Sequence, residues 1–95
     1  MSKLSIVVPV YYNEDTLMDL YEDMSAKILD RLEDYEIVFV DDGSGDSSWE
    51  IMNQIRDLDS HVRLVRLSRN FGEHAALLAG LSVCTVYCPV TKQAD

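Results

Sequence analysis

The sequence predicts an α/β domain of three layers, α/β/α, around a mainly parallel sheet of about four strands. Short apolar runs rich in β-branched residues alternate with stretches whose apolar residues recur every three or four positions, giving the order β-α-β-α-β-α-β. The run Ile37-Val38-Phe39-Val40 is apolar at every position, as a strand covered on both faces requires. Each of the first three runs ends in a polar loop, which puts three loops at the carboxyl edge of one sheet, where open α/β sheets bind ligands.

Leu4 to Val10 is the first strand, expected to be central. Pro9 has no N–H to give a ladder, so the strand must end or lose a neighbour there. After the polar loop Tyr11 to Asp15, a helix is expected to begin near Asp15 or Thr16, with Asn13 or Asp15 as N-cap, and to run to about Leu32. Leu17, Leu20, Tyr21, Met24, Ile28 and Leu32 form its apolar stripe, and Asp19, Glu22, Asp23, Lys27, Asp30 and Arg31 its solvated face.

Tyr35 to Val40 is the second strand and Asp41 to Asp46 its exit loop. Ser47-Ser48-Trp49-Glu50 fits a capping box, Ser47 capping and Glu50 reaching back. Trp49, Met52, Ile55 and Leu58 carry a second helix to about Asp59. Trp49 falls on that stripe, which makes it a core anchor rather than a platform for a base. His61 is a surface turn residue. Val62 to Leu67 is a third strand, with Arg63 and Arg66 read on one face, as at a sheet edge. A third helix spans about Glu73 to Val83, and its small residues Ala75, Ala76, Ala79 and Gly80 let it sit close to the sheet. Tyr87 to Thr91 is a fourth short strand. Right-handed crossovers then give a Rossmann-like arrangement in one folding unit, without repeats or linkers.

Composition narrows the partners. Hydrophobic residues make up 47% of the 95, enough for one small core. Eight basic against 17 acidic residues leave a net charge of −9, which argues against nucleic acid and against a polybasic hold on a membrane. Cys84 and Cys88 lack the further Cys or His of a zinc site and read as reduced core thiols, the pattern of a cytoplasmic protein. No apolar run approaches the ~20 residues of a membrane span, and Met1-Ser2-Lys3 leads into a strand with no signal-peptide core.

The three loops carry the chemistry. Adjacent carboxylates at the mouth of a buried strand, Asp41 and Asp42, repel each other, and stability alone does not ask for them. The first loop adds aromatic rings, an amide and Glu14. The third adds Arg69, Asn70 and Gly72 at a helix N-terminus. Such a set suits a nucleotide: carboxylates for base or ribose, an aromatic for the base face, an Arg and a helix end for phosphate. No G-x-G-x-x-G and no Walker sequence is present. Structural roles compete: Asp41 or Asp42 as a loop cap, Arg69 paired with a carboxylate, Glu14 favouring the helix dipole, His74 simply on the third helix.

Val8-Pro9-Val10-Tyr11-Tyr12-Asn13-Glu14, then Val40-Asp41-Asp42-Gly43-Ser44, then Leu67-Ser68-Arg69-Asn70-Phe71-Gly72 resemble the N-terminal half of an inverting GT-A glycosyltransferase of family 2. The polyprenyl-phosphate enzymes, dolichol-phosphate mannose synthases and undecaprenyl-phosphate glucosyltransferases, are the most similar in these motifs, which cover roughly residues 4 to 83. The resemblance implies a nucleotide-sugar-binding half of a GT-A domain over residues 1–95, cut before its C-terminal part. Pro9, Tyr11, Tyr12 and Glu14 would line the nucleotide pocket, Asp42 and Asp41 would meet base or ribose, and Arg69 and Asn70 would border base and phosphates. Asp95 would be a ligand to Mg²⁺ or Mn²⁺ on the diphosphate. The general base and acceptor site would follow Asp95, and the 95 residues alone would be inactive in transfer. The whole enzyme would pass a sugar from UDP or GDP to a lipid phosphate with inversion, and its later segments could attach it to a membrane.

The sequence departs from that pattern at Gln93, where the family has an Asp, at Val86-Tyr87, where Gly-Asp is usual, and at Tyr12, an extra residue in the first motif. Two other classes compete with this reading. A receiver-type phosphoacceptor would need an Asp at the end of the third strand, where Leu67-Ser68-Arg69 stands. A non-catalytic module could form a homo-oligomer through a free sheet edge.

Overall fold

The structure, a computed structural model, describes residues 3–27, 34–84 and 89–91. Its elements are β1 (Lys3–Val10), α1 (Leu17–Lys27), β2 (Asp34–Asp41), α2 (Ser48–Leu58), β3 (Val62–Arg66), α3 (Glu73–Val83) and β4 (Pro89–Thr91). The expected continuation of the first helix through Ile28 and Leu32, and the start of the fourth strand at Tyr87 and Cys88, lie outside the described residues. So do Val86, Gln93 and Asp95.

The sheet is parallel throughout, in the order β3-β2-β1-β4. The chain therefore winds outward from β1 to β3 and then returns to β1's other side. In such sheets the ligand crevice lies outside the carboxyl ends of the strands, where the winding reverses. β1 is central, as expected. β2 pairs with it as far as Val10↔Asp41, whereas the described pairing with β4 ends at Val7↔Thr91. Pro9, with no N–H to donate, thus sits where β1 keeps one described neighbour.

Alternation along β1 and β2 sends side chains to two cores. Ile6, Val8, Val10, Ile37 and Phe39 face α1 and α2, where Leu17, Met24, Met52 and Ile55 close a fully buried layer. Val7, Val38 and Val40 face α3 and pack on Ala76. The three-layer prediction is met, and it explains the unbroken apolar run 37–40. Burying one such aliphatic side chain contributes about 1.5–3 kcal/mol.

The small residues of α3 have the expected use. A Cβ on Gly80 would meet Val7 Cγ1 and lie 3.0 Å from Val40 Cγ2. Cys84 packs beside this core, its Sγ contacting the Gly80 carbonyl at 3.2 Å. Burial pushes its thiol up, and Glu36 adds to this, against a smaller opposing effect of a hydrogen bond with Ser5 and of the Arg63 charge. A thiol so placed is a poor nucleophile.

Three local expectations need correction. Arg63 and Arg66 are on opposite faces, because residues three apart in a strand point opposite ways. Arg63 Nη1 reaches the Val83 carbonyl on the α3 side at 2.5 Å, and the Arg66 guanidinium lies over Trp49 of α2 at 4.9 Å. β3 is nevertheless the sheet edge. Second, Ser47 takes the N-cap position of α2 without a side-chain cap bond, so the capping box does not form. Asp46 Oδ1 accepts the Ser48 N–H instead, at 3.0 Å. Third, Asn13 does not cap α1 through its side chain. Its Oδ1 takes the Tyr11 N–H at 2.8 Å, and its carbonyl takes Thr16 and Leu17 N–H in a turn that leads into the helix at Leu17.

Candidate functional site

The three loops at the carboxyl edge are one hydrogen-bonded body, with the loop after β2 in the middle. Ser44 and Asp46 of that loop, with Ser48 at the start of α2, take three successive backbone N–H groups of the loop after β1. Tyr12 N donates to Ser44 Oγ at 2.9 Å, Asn13 N to Ser48 Oγ at 2.9 Å, and Glu14 N to Asp46 Oδ2 at 3.3 Å. Burial of Asp46 opposes its ionisation, yet the bonds from Ser48, Glu14 and its own backbone outweigh that and hold its carboxyl below the ordinary range.

On the other side the same loop holds the loop after β3 through Asp42. Phe71 N donates to Oδ1 at 2.8 Å, and Gly72 N and Asn70 Nδ2 donate to Oδ2 at 3.1 and 3.0 Å. Asn70 Nδ2 also reaches the Asp42 carbonyl at 3.2 Å. Charge-assisted bonds of this kind are roughly twice as strong as neutral ones. The backbone of the third loop crosses directly over Gly43: a Cβ there would stand 2.5 Å from both the Arg69 carbonyl carbon and the Asn70 nitrogen. Gly43 also has φ +76, so a glycine is required there twice over.

Asp41 and Asp42 are adjacent but diverge. Both are buried, at 0% and 3% exposure. Asp41 turns toward α2, where Oδ1 accepts Ser44 N–H at 2.9 Å and Oδ2 lies 3.5 Å from Arg66 Nε. Asp42 turns to the third loop. Strand alternation therefore relieves the repulsion that made the pair conspicuous in sequence. Each holds loop backbone, but neither caps α2, the structural role the sequence left open for one of them; the carboxylate at the start of α2 is that of Asp46.

The exposed members of the candidate set form the rim. Tyr11 and Tyr12 are about half exposed and meet edge to face with ring centres 4.7 Å apart. Tyr12 is in the left-handed region at φ 57, and its hydroxyl covers Gly45, where a Cβ would come within 2.5 Å of it. Glu14, Arg69 and Asn70 are exposed, and the Arg69 guanidinium lies 4.6 Å above the Phe71 ring. Pro9 is half-buried beneath, and His74 is exposed on the first turn of α3.

Sequence reasoning missed Ser44, Asp46, Ser48, Gly45 and Phe71. The Ser/Gly/Asp run 43–48 was a visible loop signal, but partners more than 30 positions away are not legible in it. His61 is a turn residue as expected, and it stacks on Tyr35 and bonds Asp59 through Nδ1 at 2.9 Å. Among the described residues no three His, Cys, Asp or Glu side chains converge to hold a metal ion. The described part alone does not make a cation site, and Asp95 lies outside it.

This geometry defines a doubly wound α/β domain with a polar, pre-assembled platform at the strands' carboxyl edge. Residues 5–88 match the Glycosyl transferase family 2 profile, and the chain belongs to that family. It is 42% identical over 93 residues to the undecaprenyl-phosphate 4-deoxy-4-formamido-L-arabinose transferase of Pseudomonas fluorescens, covering 97% of this chain and 27% of that protein. The Yersinia pestis protein of the same name is 38% identical over 96 residues, covering 100% of this chain and 29% of that one. The chain thus spans less than a third of these relatives' length.

Solved structures give the fold. S. aureus TarS 1-349 in complex with UDP-GlcNAc superposes with TM-score 0.86 at 23% identity, over 99% of this chain and 27% of that one. The mannosyltransferase PcManGT from Pyrobaculum calidifontis, in complex with GDP-Man and Mn²⁺, gives 0.84 at 21% identity, over 97% and 27%. These neighbours are GT-A glycosyltransferases, so the Rossmann-like GT-A expectation is met. Among the described residues no helix is long and apolar enough to cross a membrane.

Proposed function

We propose that residues 1–95 are the nucleotide-sugar-binding half of a glycosyltransferase. One observation carries the reading: the loops after β1, β2 and β3 are fixed to one another at the carboxyl edge by Ser44, Asp46, Ser48 and Asp42. Tyr11, Tyr12 and Pro9 would line the base side, and Glu14, Arg69 and Asn70 the ribose and phosphates. Asp41 and Asp42 would act mainly by holding these loops. Asp42 Oδ1, with one donor in place, has a lone pair left for a base or ribose donor.

Family membership and the relatives' names support the rest. The whole protein would transfer a sugar from UDP or GDP to a polyprenyl phosphate with inversion, using residues beyond Asp95 as general base. A divalent cation enters through structural neighbours solved with Mn²⁺ or Mg²⁺ and UDP. Family membership also sets aside the receiver-type alternative.

Calorimetric titration of the 95-residue chain with UDP and GDP, each with and without Mn²⁺, tests the proposal. Saturable binding of one of them is expected. No binding of either nucleotide or its sugars would overturn the reading.

A further inference from the structure

Arg66 has no part in the loops, yet it is tied to their centre. It ends β3 and registers with Asp41 across the β2–β3 ladder. Its Nε is 3.5 Å from Asp41 Oδ2, an oxygen that is buried and makes no hydrogen bond. Its guanidinium carbon lies over the Trp49 ring, 4.9 Å from the centroid. Asp41's other oxygen accepts Ser44 N–H, and Ser44 Oγ accepts Tyr12 N–H. A continuous chain of contacts therefore runs Trp49–Arg66–Asp41–Ser44–Tyr12, from the sheet's edge strand to the rim of the platform.

A buried carboxylate oxygen with no hydrogen bond is costly unless a counter-charge stands by. We infer that Arg66, seated on Trp49, is a positioning residue for the ligand platform: it supplies the counter-charge that keeps the Asp41 carboxylate turned inward, which in turn fixes the Ser44 loop and the left-handed Tyr12. The aromatic seat explains why an arginine serves here. Its flat guanidinium can lie on a ring and still offer an N–H at its edge, which a lysine ammonium does less well. Trp49 then has a second use besides packing on the core.

The inference rests on the nucleotide reading only for its effect on affinity, and its structural half can be measured without ligand. Amide hydrogen exchange at Ser44 and Tyr12 and titration with UDP would be recorded for the 95-residue chain, Arg66→Gln, Arg66→Lys and the double variant Asp41→Asn/Arg66→Gln. Arg66→Gln is expected to speed exchange at Ser44 and Tyr12 and to weaken UDP binding, each by about tenfold, a modest figure because the Arg66 side chain is half exposed. Arg66→Lys should recover part of both losses, and removing the buried charge in the double variant should recover most of the slowed exchange at Ser44. Unchanged exchange in Arg66→Gln would overturn the inference, as would equal damage in Lys and Gln variants. If Arg66→Gln fails to fold, a folded double variant upholds the inference and an unfolded one overturns it. Wild-type chain that binds neither UDP nor GDP would refute the nucleotide reading while leaving the exchange result to decide this one.

Discussion

Asp42 Oδ1 accepts the backbone N–H of Phe71 at 2.8 Å, joining the end of β2 to the loop before α3 across 29 positions of sequence. With Gly72 N–H and the Asn70 amide on Oδ2, one carboxylate shapes most of the third loop. Asp42→Asn would turn an amide N–H₂ toward at least one of these donors. Since bonds to charged groups contribute about 1.5–3 kcal/mol, the variant should lose about 2 kcal/mol of stability, read as a lower urea midpoint at unchanged slope. Nucleotide affinity should fall with it. A midpoint within error of wild type would show that the third loop is held by something else.

Gly43 and Gly72 separate two reasons for glycine. Both have positive φ, but a Cβ on Gly72 meets nothing within 4 Å whereas one on Gly43 strikes loop backbone. Gly72→Ala should therefore cost only conformational strain, about 1–3 kcal/mol. Gly43→Ala should cost more than Gly72→Ala and also displace Arg69 and Asn70, seen as amide shifts in both residues. Equal losses in the two variants would contradict the close approach.

Gly80→Ala sets helix propensity against packing. Alanine would gain about 1 kcal/mol in an open helix. Here the new methyl meets Val7 and Val40, and overpacking of about 1–3 kcal/mol should win. Val7→Ala, destabilising alone by the cavity it leaves, should be partly offset by Gly80→Ala in the double variant. Strict additivity of the two changes would rule out the contact.

Asp59 should dominate part of the acid limb of stability. Burial opposes its ionisation, but bonds from the Tyr35 hydroxyl, the His61 backbone and ring, and the Tyr21 hydroxyl overcome that and hold its carboxyl below the ordinary range. A carboxyl depressed in the folded state stabilises above its unfolded pKa, and that contribution is lost as pH falls from about 4 through the folded value. Tyr35→Phe removes a 2.6 Å bond and should raise Asp59's folded pKa, shrinking the stability gained above pH 4 by about 1 kcal/mol. Denaturant titrations between pH 2 and 6 would reveal this. Curves that run parallel for wild type and variant would refute it.

The elements were legible in the sequence because each is written in local periodicity: α3 over Glu73–Val83 follows from its helical run and small residues, and β2 from its apolar block. The carboxyl-edge location followed from topology. Side-chain duties were less legible. The Asp41–Asp42 pair drew notice as two like charges, yet their divergence depends on strand alternation at the last β2 residue. Ser47 does not cap α2, since its backbone at φ −86 and ψ 14 is not the extended one of an N-cap, and Asp46, one residue earlier, takes the Ser48 N–H while also reaching Glu14 in another loop. Such dual assignments are set by tertiary neighbours, not by the local motif. The Arg63–Arg66 error was one of spacing, since a separation of three puts residues on one side of a helix but on opposite sides of a strand.

The loop after β2 holds its two neighbours at once, so neither can open without breaking bonds to the middle one. Most of the conformational freedom that a flexible site surrenders to its ligand is therefore already gone in the folded chain. Association with a nucleotide should proceed with little further ordering of the backbone, and changes in residence time, more than changes in the rate of encounter, should separate the platform variants from one another.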